Sequence, residues 1–193
     1  AGWDALYTVA KPPRLLRGMS EYWLGALPWV GELARSMGTA VGTPETCTEM
    51  LKRGEAVLVF PEGVRGLNKT YAHRYELQRF GTGFLRLALE TKTPIVPVGV
   101  IGTEEQQVGI ANLAKFGKRF GMPALPITLG FPWLGPLGLL PLPVKVHLCF
   151  GKPLYFEGSA DDEAGVSEKV ETVREALAAL LEAGLAKRRG VFA

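Results

Sequence analysis

Short runs of apolar, largely β-branched residues alternate along the chain with longer stretches whose apolar positions recur every three or four residues. That alternation predicts an α/β fold, a mixed, largely parallel sheet flanked by helices. Strands are predicted over 56–60, 95–100 and 144–150. The first two are almost continuously apolar, as strands covered on both faces are, whereas the third alternates and belongs nearer an edge. Helices are predicted over 22–37, 44–53 and 83–90. Thr43 before Pro44 is a helix-entry signal: the hydroxyl accepts from a free amide, and proline has no N–H to lose in the first turn. The firmest periodicity lies near the end, where Val166, Val170, Val173, Leu177, Leu180, Leu181 and Leu185 form one stripe. Lys187, Arg188 and Arg189 follow it, placed to meet the negative pole of that helix and to face solvent, with a membrane contact as the alternative.

A chain of 193 residues, 47% hydrophobic by type, buries enough surface to fold as one domain over 1–193 without disulfide staples. Its cysteines, Cys47 and Cys149, have no metal-ligand spacing, which argues against a structural zinc site and for a reducing compartment. The opening Ala1-Gly2-Trp3-Asp4 has no signal-peptide pattern, and without an initial methionine the chain reads as a fragment. Twenty-two Lys and Arg against nineteen Asp and Glu give a net charge of +3, too mild to imply nucleic acid as a partner.

No charged side chain occurs from Phe120 to Val144. Six prolines and four glycines break this stretch, so it is not a membrane-spanning helix, whose backbone must be satisfied internally. A proline-rich apolar loop over 120–144 with Trp133 near its centre fits two arrangements, a loop packed on its own domain or one lying in a bilayer interface.

The sharpest local feature is Phe60-Pro61-Glu62-Gly63-Val64-Arg65-Gly66, directly after a predicted buried strand. Ligands of open α/β sheets bind beyond the carboxyl ends of strands, and here a carboxylate and a guanidinium emerge together. Gly63 and Gly66 permit close backbone approach to a ligand, and Arg65 offers a planar fork of donors suited to phosphate. Lys69, Arg74, Arg79 and Arg86 follow with only Glu76 among them, a locally positive stretch suited to phosphates on a substrate or a bilayer. Lys115, Lys118 and Arg119, among Leu113, Phe116 and Phe120, make a second basic, amphipathic patch.

Phe60 to Arg65 resembles the third motif of the glycerolipid acyltransferase family, typified by 1-acylglycerol-3-phosphate acyltransferase. Thr93-Pro94-Ile95-Val96-Pro97-Val98 resembles the fourth motif, and Trp29-Val30-Gly31 through Met37-Gly38-Thr39-Ala40-Val41 resembles the segment leading to the second. The resemblance covers nearly the whole chain. Gly2-Trp3-Asp4-Ala5-Leu6 is similar to the trailing half of the first motif, a histidine followed by four residues and an aspartate; Asp4 is then that aspartate, and the histidine belongs two positions before Ala1. The resemblance implies an O-acyltransferase of phospholipid or glycerolipid biosynthesis, with acyl-CoA or acyl-carrier protein as donor and a glycerolipid or lysophospholipid hydroxyl as acceptor. It implies no metal and no bound cofactor, and a place at the cytoplasmic face of a membrane. The absent histidine is the general base and Asp4 its orienting partner, Arg65 binds an anionic headgroup, and Glu62, Gly63, Pro61 and Pro97 shape the acceptor site.

His73, in a basic loop, and His147, within a predicted strand, do not inherit the base's role. Where many members place an arginine after the second-motif strand, this chain has Gly42-Thr43-Pro44-Glu45, which weakens the expectation of a phosphorylated acceptor and admits a mono- or diacylglycerol acyltransferase-like branch. The alternative function is a non-catalytic lipid-binding domain of the same fold. A serine hydrolase is disfavoured, since no Gly-x-Ser-x-Gly string occurs.

Overall fold

A computed structural model of the chain describes residues 13–20, 31–32, 36, 39–67, 69–106, 108–112, 126–128 and 130–190. In chain order its elements are β1 (Leu16–Ser20), β2 (Ala40–Val41), α1 (Pro44–Lys52), β3 (Ala56–Leu58), α2 (Val64–Leu67), α3 (Gly83–Thr91), β4 (Val98–Ile101), α4 (Thr103–Gln106), β5 (Gly109–Asn112), β6 (Pro126–Thr128), β7 (His147–Phe150) and α5 (Glu163–Lys187). They fall into two compact units that interleave in sequence. Most of the predicted 22–37 helix, Asp4 and the basic patch at Lys115, Lys118 and Arg119 lie outside the described residues.

The first unit draws on Ala1–Pro61, Thr82–Ile95 and Tyr155–Lys169. Its sheet is parallel, with β1 between β2 and β3; Leu16 to Gly18 pair with Ala56 to Leu58, and Met19 and Ser20 pair with Ala40 and Val41. β1 has no counterpart among the predicted elements because Arg17 and Gly18 interrupt its apolar run. Arg17 is accommodated by Glu55, 2.8 Å from its Nε. Thr43 caps α1 as predicted, its Oγ1 accepting from the amide of Thr46 at 3.1 Å with Pro44 in the first turn. α1 packs on β3 and on α3, which buries Leu85, Ala88 and Leu89. Cys47 is buried on α1 with its thiol 3.4 Å from Met19 Sδ, and burial, then the charge of Glu45, pushes that thiol up. It is a packing residue.

The second unit draws on Glu62–Gly81, Val96–Leu154 and Val170–Ala193. Its strands are antiparallel pairs: β4 with β7, from Val98↔Phe150 to Ile101↔His147, and β5 with β6. α5 lies directly on the first pair because small residues meet there. A Cβ on Gly184 would sit 2.3 Å from Ile101 Cδ1 and 2.9 Å from Cys149 Sγ, and one on Gly99 would touch Leu180. Val170, Val173 and Leu181 of the predicted stripe are buried in the second unit, as is Ile101, while Val166 is buried in the first unit.

All three predicted strands are shorter than expected. Predicted strand 56–60 ends at Leu58, ahead of Pro61, which cannot donate to a ladder and restricts Phe60 before it. Strand 95–100 becomes β4 from Val98, because Pro97 has no N–H; its carbonyl instead accepts from Gly151 N at 2.8 Å. Strand 144–150 begins at His147. Just before it, Gly102 (φ 105) comes so near Lys145 that a Cβ would lie 2.4 Å from its carbonyl oxygen. Among the described residues no helix is long and apolar enough to cross a membrane.

Candidate active site

The motif follows β3 in the chain. Residues 61–63 form a turn in which Gly63 takes φ 55, a left-handed conformation costly for residues with a Cβ. One helical turn, α2, then starts at Val64 and brings Arg65 round, its amide 3.2 Å from the Glu62 carbonyl.

Glu62 faces the protein. Its Oε1 accepts from the Gln78 amide at 2.9 Å, and its Oε2 lies 3.5 Å from Lys69 Nζ. The carboxylate also fills the space at Gly66, where a Cβ would come within 2.6 Å of Oε2. Gly66 therefore makes room for Glu62. Arg65 is exposed, with Nη1 3.4 Å from the carbonyl oxygen of Arg79, a contact at the long limit for a hydrogen bond. Among the described residues no carboxylate lies within 4.0 Å of the side chains of Arg65 or Arg79.

The other cations of this stretch are not free, contrary to the sequence count that set only Glu76 against them. Lys69, with only 9% of its side chain exposed, sits 2.7 Å from Glu104 and donates to the Glu76 carbonyl. Arg74 lies over the Tyr71 ring, 4.4 Å from its centroid, and 4.0 Å from Glu105. Arg86, in the first unit, pairs with Glu163 at 2.5 Å and donates to the Ala160 carbonyl. Among the described residues of this stretch, Arg65 and Arg79 are thus the cations without a carboxylate partner.

A buried polar cluster supports the loop between them. Tyr75, at φ 64, donates its amide to Glu104 at 2.8 Å and its hydroxyl to Glu105 at 3.1 Å, while accepting from Gly102 N at 3.0 Å. Arg188 Nη2 lies 2.6 Å from Glu105 Oε2, both side chains being 6% exposed, and its Nη1 donates to the Tyr75 hydroxyl at 3.2 Å. Burial by itself would raise the Glu105 carboxyl. Hydrogen bonds from Arg188 and Tyr75, with the charges of Arg188 and Arg74, outweigh it and hold that carboxyl below its ordinary value. The hydrogen bond to Glu105 raises Arg188, and burial, foremost, raises the Tyr75 phenol. Arg188, which the sequence pattern places at a helix end facing solvent, is instead one half of a buried ion pair. Its signal was hidden because its partner lies more than eighty positions away in the chain.

Of the other predicted site residues, Pro97 is buried and packed against Gly151, whose Cβ would lie 3.4 Å from Pro97 Cγ. Pro61 is half-buried at the start of the turn. Glu62, Gly63 and Arg65 are brought together; Asp4 lies outside the described residues. His73 is exposed and 3.0 Å from Glu76, and His147 is on β7, its Nε2 enclosed. Among the described residues no group of three or more His, Cys, Asp or Glu is placed to hold a metal ion. The shallow groove bordered by Tyr75, Leu77, Leu181 and Leu185 does not include Glu62 or Arg65.

The acyltransferase family model matches residues 3–101, a span that contains Asp4, the 60–65 turn and Pro97. The chain belongs to the acyltransferase family. It is 42% identical over 171 residues to an uncharacterized protein of Mycobacterium tuberculosis, covering 86% of this chain and 48% of that one. It is 25% identical over 189 residues to a human protein named DGAT1/2-independent enzyme synthesizing storage lipids, covering 93% of this chain and 53% of that one. The chain thus spans about half the length of the curated relatives it matches. Its fold resembles the crystal structure of the 1-acyl-sn-glycerophosphate (LPA) acyltransferase PlsC from Thermotoga maritima, with a TM-score of 0.53 and 22% identity, over 92% of this chain and 58% of that one. The expected acyltransferase fold, a mixed α/β arrangement with a parallel sheet, is the one found.

Proposed function

We propose that this chain carries the acyl-transfer region of an enzyme that moves a fatty acyl group from a thioester, acyl-CoA or acyl-carrier protein, to a hydroxyl of a glycerolipid. The observation that supports this reading most is the 62–65 turn. Glu62 is engaged inward and fixes the turn, leaving Arg65 exposed with no carboxylate partner among the described residues, and such a guanidinium on a pinned turn is suited to an anionic headgroup.

In this reading a histidine two positions before Ala1 in the reading frame takes the acceptor hydroxyl's proton, and Asp4 orients the imidazole and supports its charge. The hydroxyl oxygen bonds to the thioester carbonyl carbon, the C–S bond breaks, and the proton passes to the departing thiolate. Glu62 acts by positioning Arg65 rather than by touching substrate, and Gly63 supplies the left-handed turn that this requires. Thr43 caps α1 at the sequence position where many members carry a second cation, so headgroup binding falls to Arg65.

The test is acceptor-dependent release of free thiol from acyl-CoA by the reading frame that contains this chain, with lysophosphatidate, monoacylglycerol and diacylglycerol offered in turn. Thiol release with at least one acceptor is expected. Lipid binding without thiol release from any of them would replace this reading with a non-catalytic lipid-binding domain.

A further inference from the structure

The loop after β6 turns its backbone inward and its apolar side chains outward. Thr128, 3% exposed, holds its base: Oγ1 donates to the Gly138 carbonyl at 3.1 Å and accepts from the Phe131 amide at 2.9 Å, and Thr128 N donates to the Phe131 carbonyl at 3.0 Å. Gly130 and Gly138 close its neck, since a Cβ on Gly138 would lie 2.2 Å from the Gly130 carbonyl carbon. Leu134 N donates to Gly130 O at 2.8 Å, Gly135 N to Pro132 O at 2.9 Å and Leu142 N to Gln106 O at 2.8 Å. What this compact loop displays is Trp133 at 77% exposure, Leu137 at 69%, and Leu134 and Leu140 at 65%. In water that arrangement is unfavourable; at the boundary of a bilayer it leaves few backbone groups to desolvate and places a tryptophan where its amphipathic ring is favoured.

Charge selects the same surroundings. Residues 106–156 contain Lys115, Lys118, Arg119, Lys145 and Lys152 and no Asp or Glu, whereas the rest of the chain has seventeen Lys and Arg against nineteen Asp and Glu. Lys145 and Lys152 are exposed. A cationic segment without acidic residues, bearing an uncharged apolar loop, is matched by an anionic lipid surface.

We propose that residues 130–142 form an interfacial anchor, with Trp133, Leu134, Leu137 and Leu140 entering the headgroup boundary of a bilayer containing anionic phospholipid and the exposed Lys145 and Lys152 adding attraction to its surface. The choice of a bilayer rests partly on the acyl-transfer reading, whose acceptor resides in one. Binding is read without turnover, so the two proposals fail separately.

The experiment is flotation of the 193-residue chain with phosphatidylcholine vesicles, with and without phosphatidylglycerol. Binding is expected, stronger with phosphatidylglycerol, and a Leu134→Ser/Leu137→Ser variant should bind about tenfold more weakly or worse. Both side chains are exposed, so its circular dichroism should match the parent's. A blue shift of tryptophan emission on vesicles should be lost in Trp133→Phe, which reads the same contact should the serine variant misfold. Absence of vesicle binding, equal binding by the serine variant with Trp133 emission unmoved, or a self-associated chain that these substitutions dissociate without any vesicle binding would each overturn the proposal.

Discussion

The Glu62 carboxylate occupies the space left by the absent side chain of Gly66, 2.6 Å from where a Cβ would stand. The same carboxylate receives the Gln78 amide and neighbours Lys69, so a glycine inside α2 governs the loop that returns to Arg79 beside Arg65. Gly66→Ala should therefore destabilise the chain by about 1–3 kcal/mol, the usual range for forcing an extra methyl into a filled space. In a Glu62→Ala background the same substitution should cost much less, because the clash is gone. Equal costs in both backgrounds, from urea midpoints, would contradict the pairing.

Arg188 and Glu105 form an ion pair taken out of water, and such a pair punishes removal of one partner more than removal of both. Arg188→Met should cost about 3–5 kcal/mol, and adding Glu105→Gln should restore part of that loss. Chemical denaturation of the two variants and the parent checks it; a double variant no better than Arg188→Met would show that the charge of Glu105 is not what is left stranded.

The Glu105 carboxyl titrates lower in the folded chain than in an unfolded one. The folded state thus binds fewer protons between those two values, so this contribution to stability is complete above the ordinary carboxylate value and is lost as pH falls through the folded one. Thermal midpoints should fall on acidification, and Glu105→Gln should lower the midpoint near neutral pH while flattening the acid limb. A variant with the parent's acid slope would place that dependence on other groups.

Thr43→Ala removes the hydroxyl that accepts the Thr46 amide and should cost about 1 kcal/mol, as loss of such a cap does. Thr43→Asn should retain most of the stability, and a shift in the urea midpoint measures both.

The readable parts of this fold are those written locally. Thr43-Pro44 announces α1 within two residues, and the 166–185 stripe announces α5, because a helix repeats its apolar positions in sequence. The Phe60 to Arg65 string stands out in the sequence because a carboxylate, a glycine and a guanidinium follow an apolar run directly. Partners separated along the chain were not. Lys69 meets Glu104 and Arg86 meets Glu163, so a count of charges in a window makes a positive stretch of cations that the fold in part neutralises, and Arg188 meets Glu105 from far along the chain. β1 was missed for a related reason: Arg17 breaks its apolar pattern, and only the fold supplies Glu55 beside it. The strand ends moved because prolines at 61 and 97 remove ladder donors, an effect that hydrophobicity alone does not show.

Acyl transfer that depends on Arg65 is tested most directly by measuring thiol release from acyl-CoA against acceptor concentration in the parent and in Arg65→Ala. The side chain is exposed and makes one long contact to the Arg79 carbonyl, so the variant should keep its fold. The account predicts a fall of about a hundredfold in kcat/KM for the acceptor, equal to about 2.7 kcal/mol, with Arg65→Lys recovering part of it. Unchanged kcat/KM in Arg65→Ala would contradict the role given to the 62–65 turn.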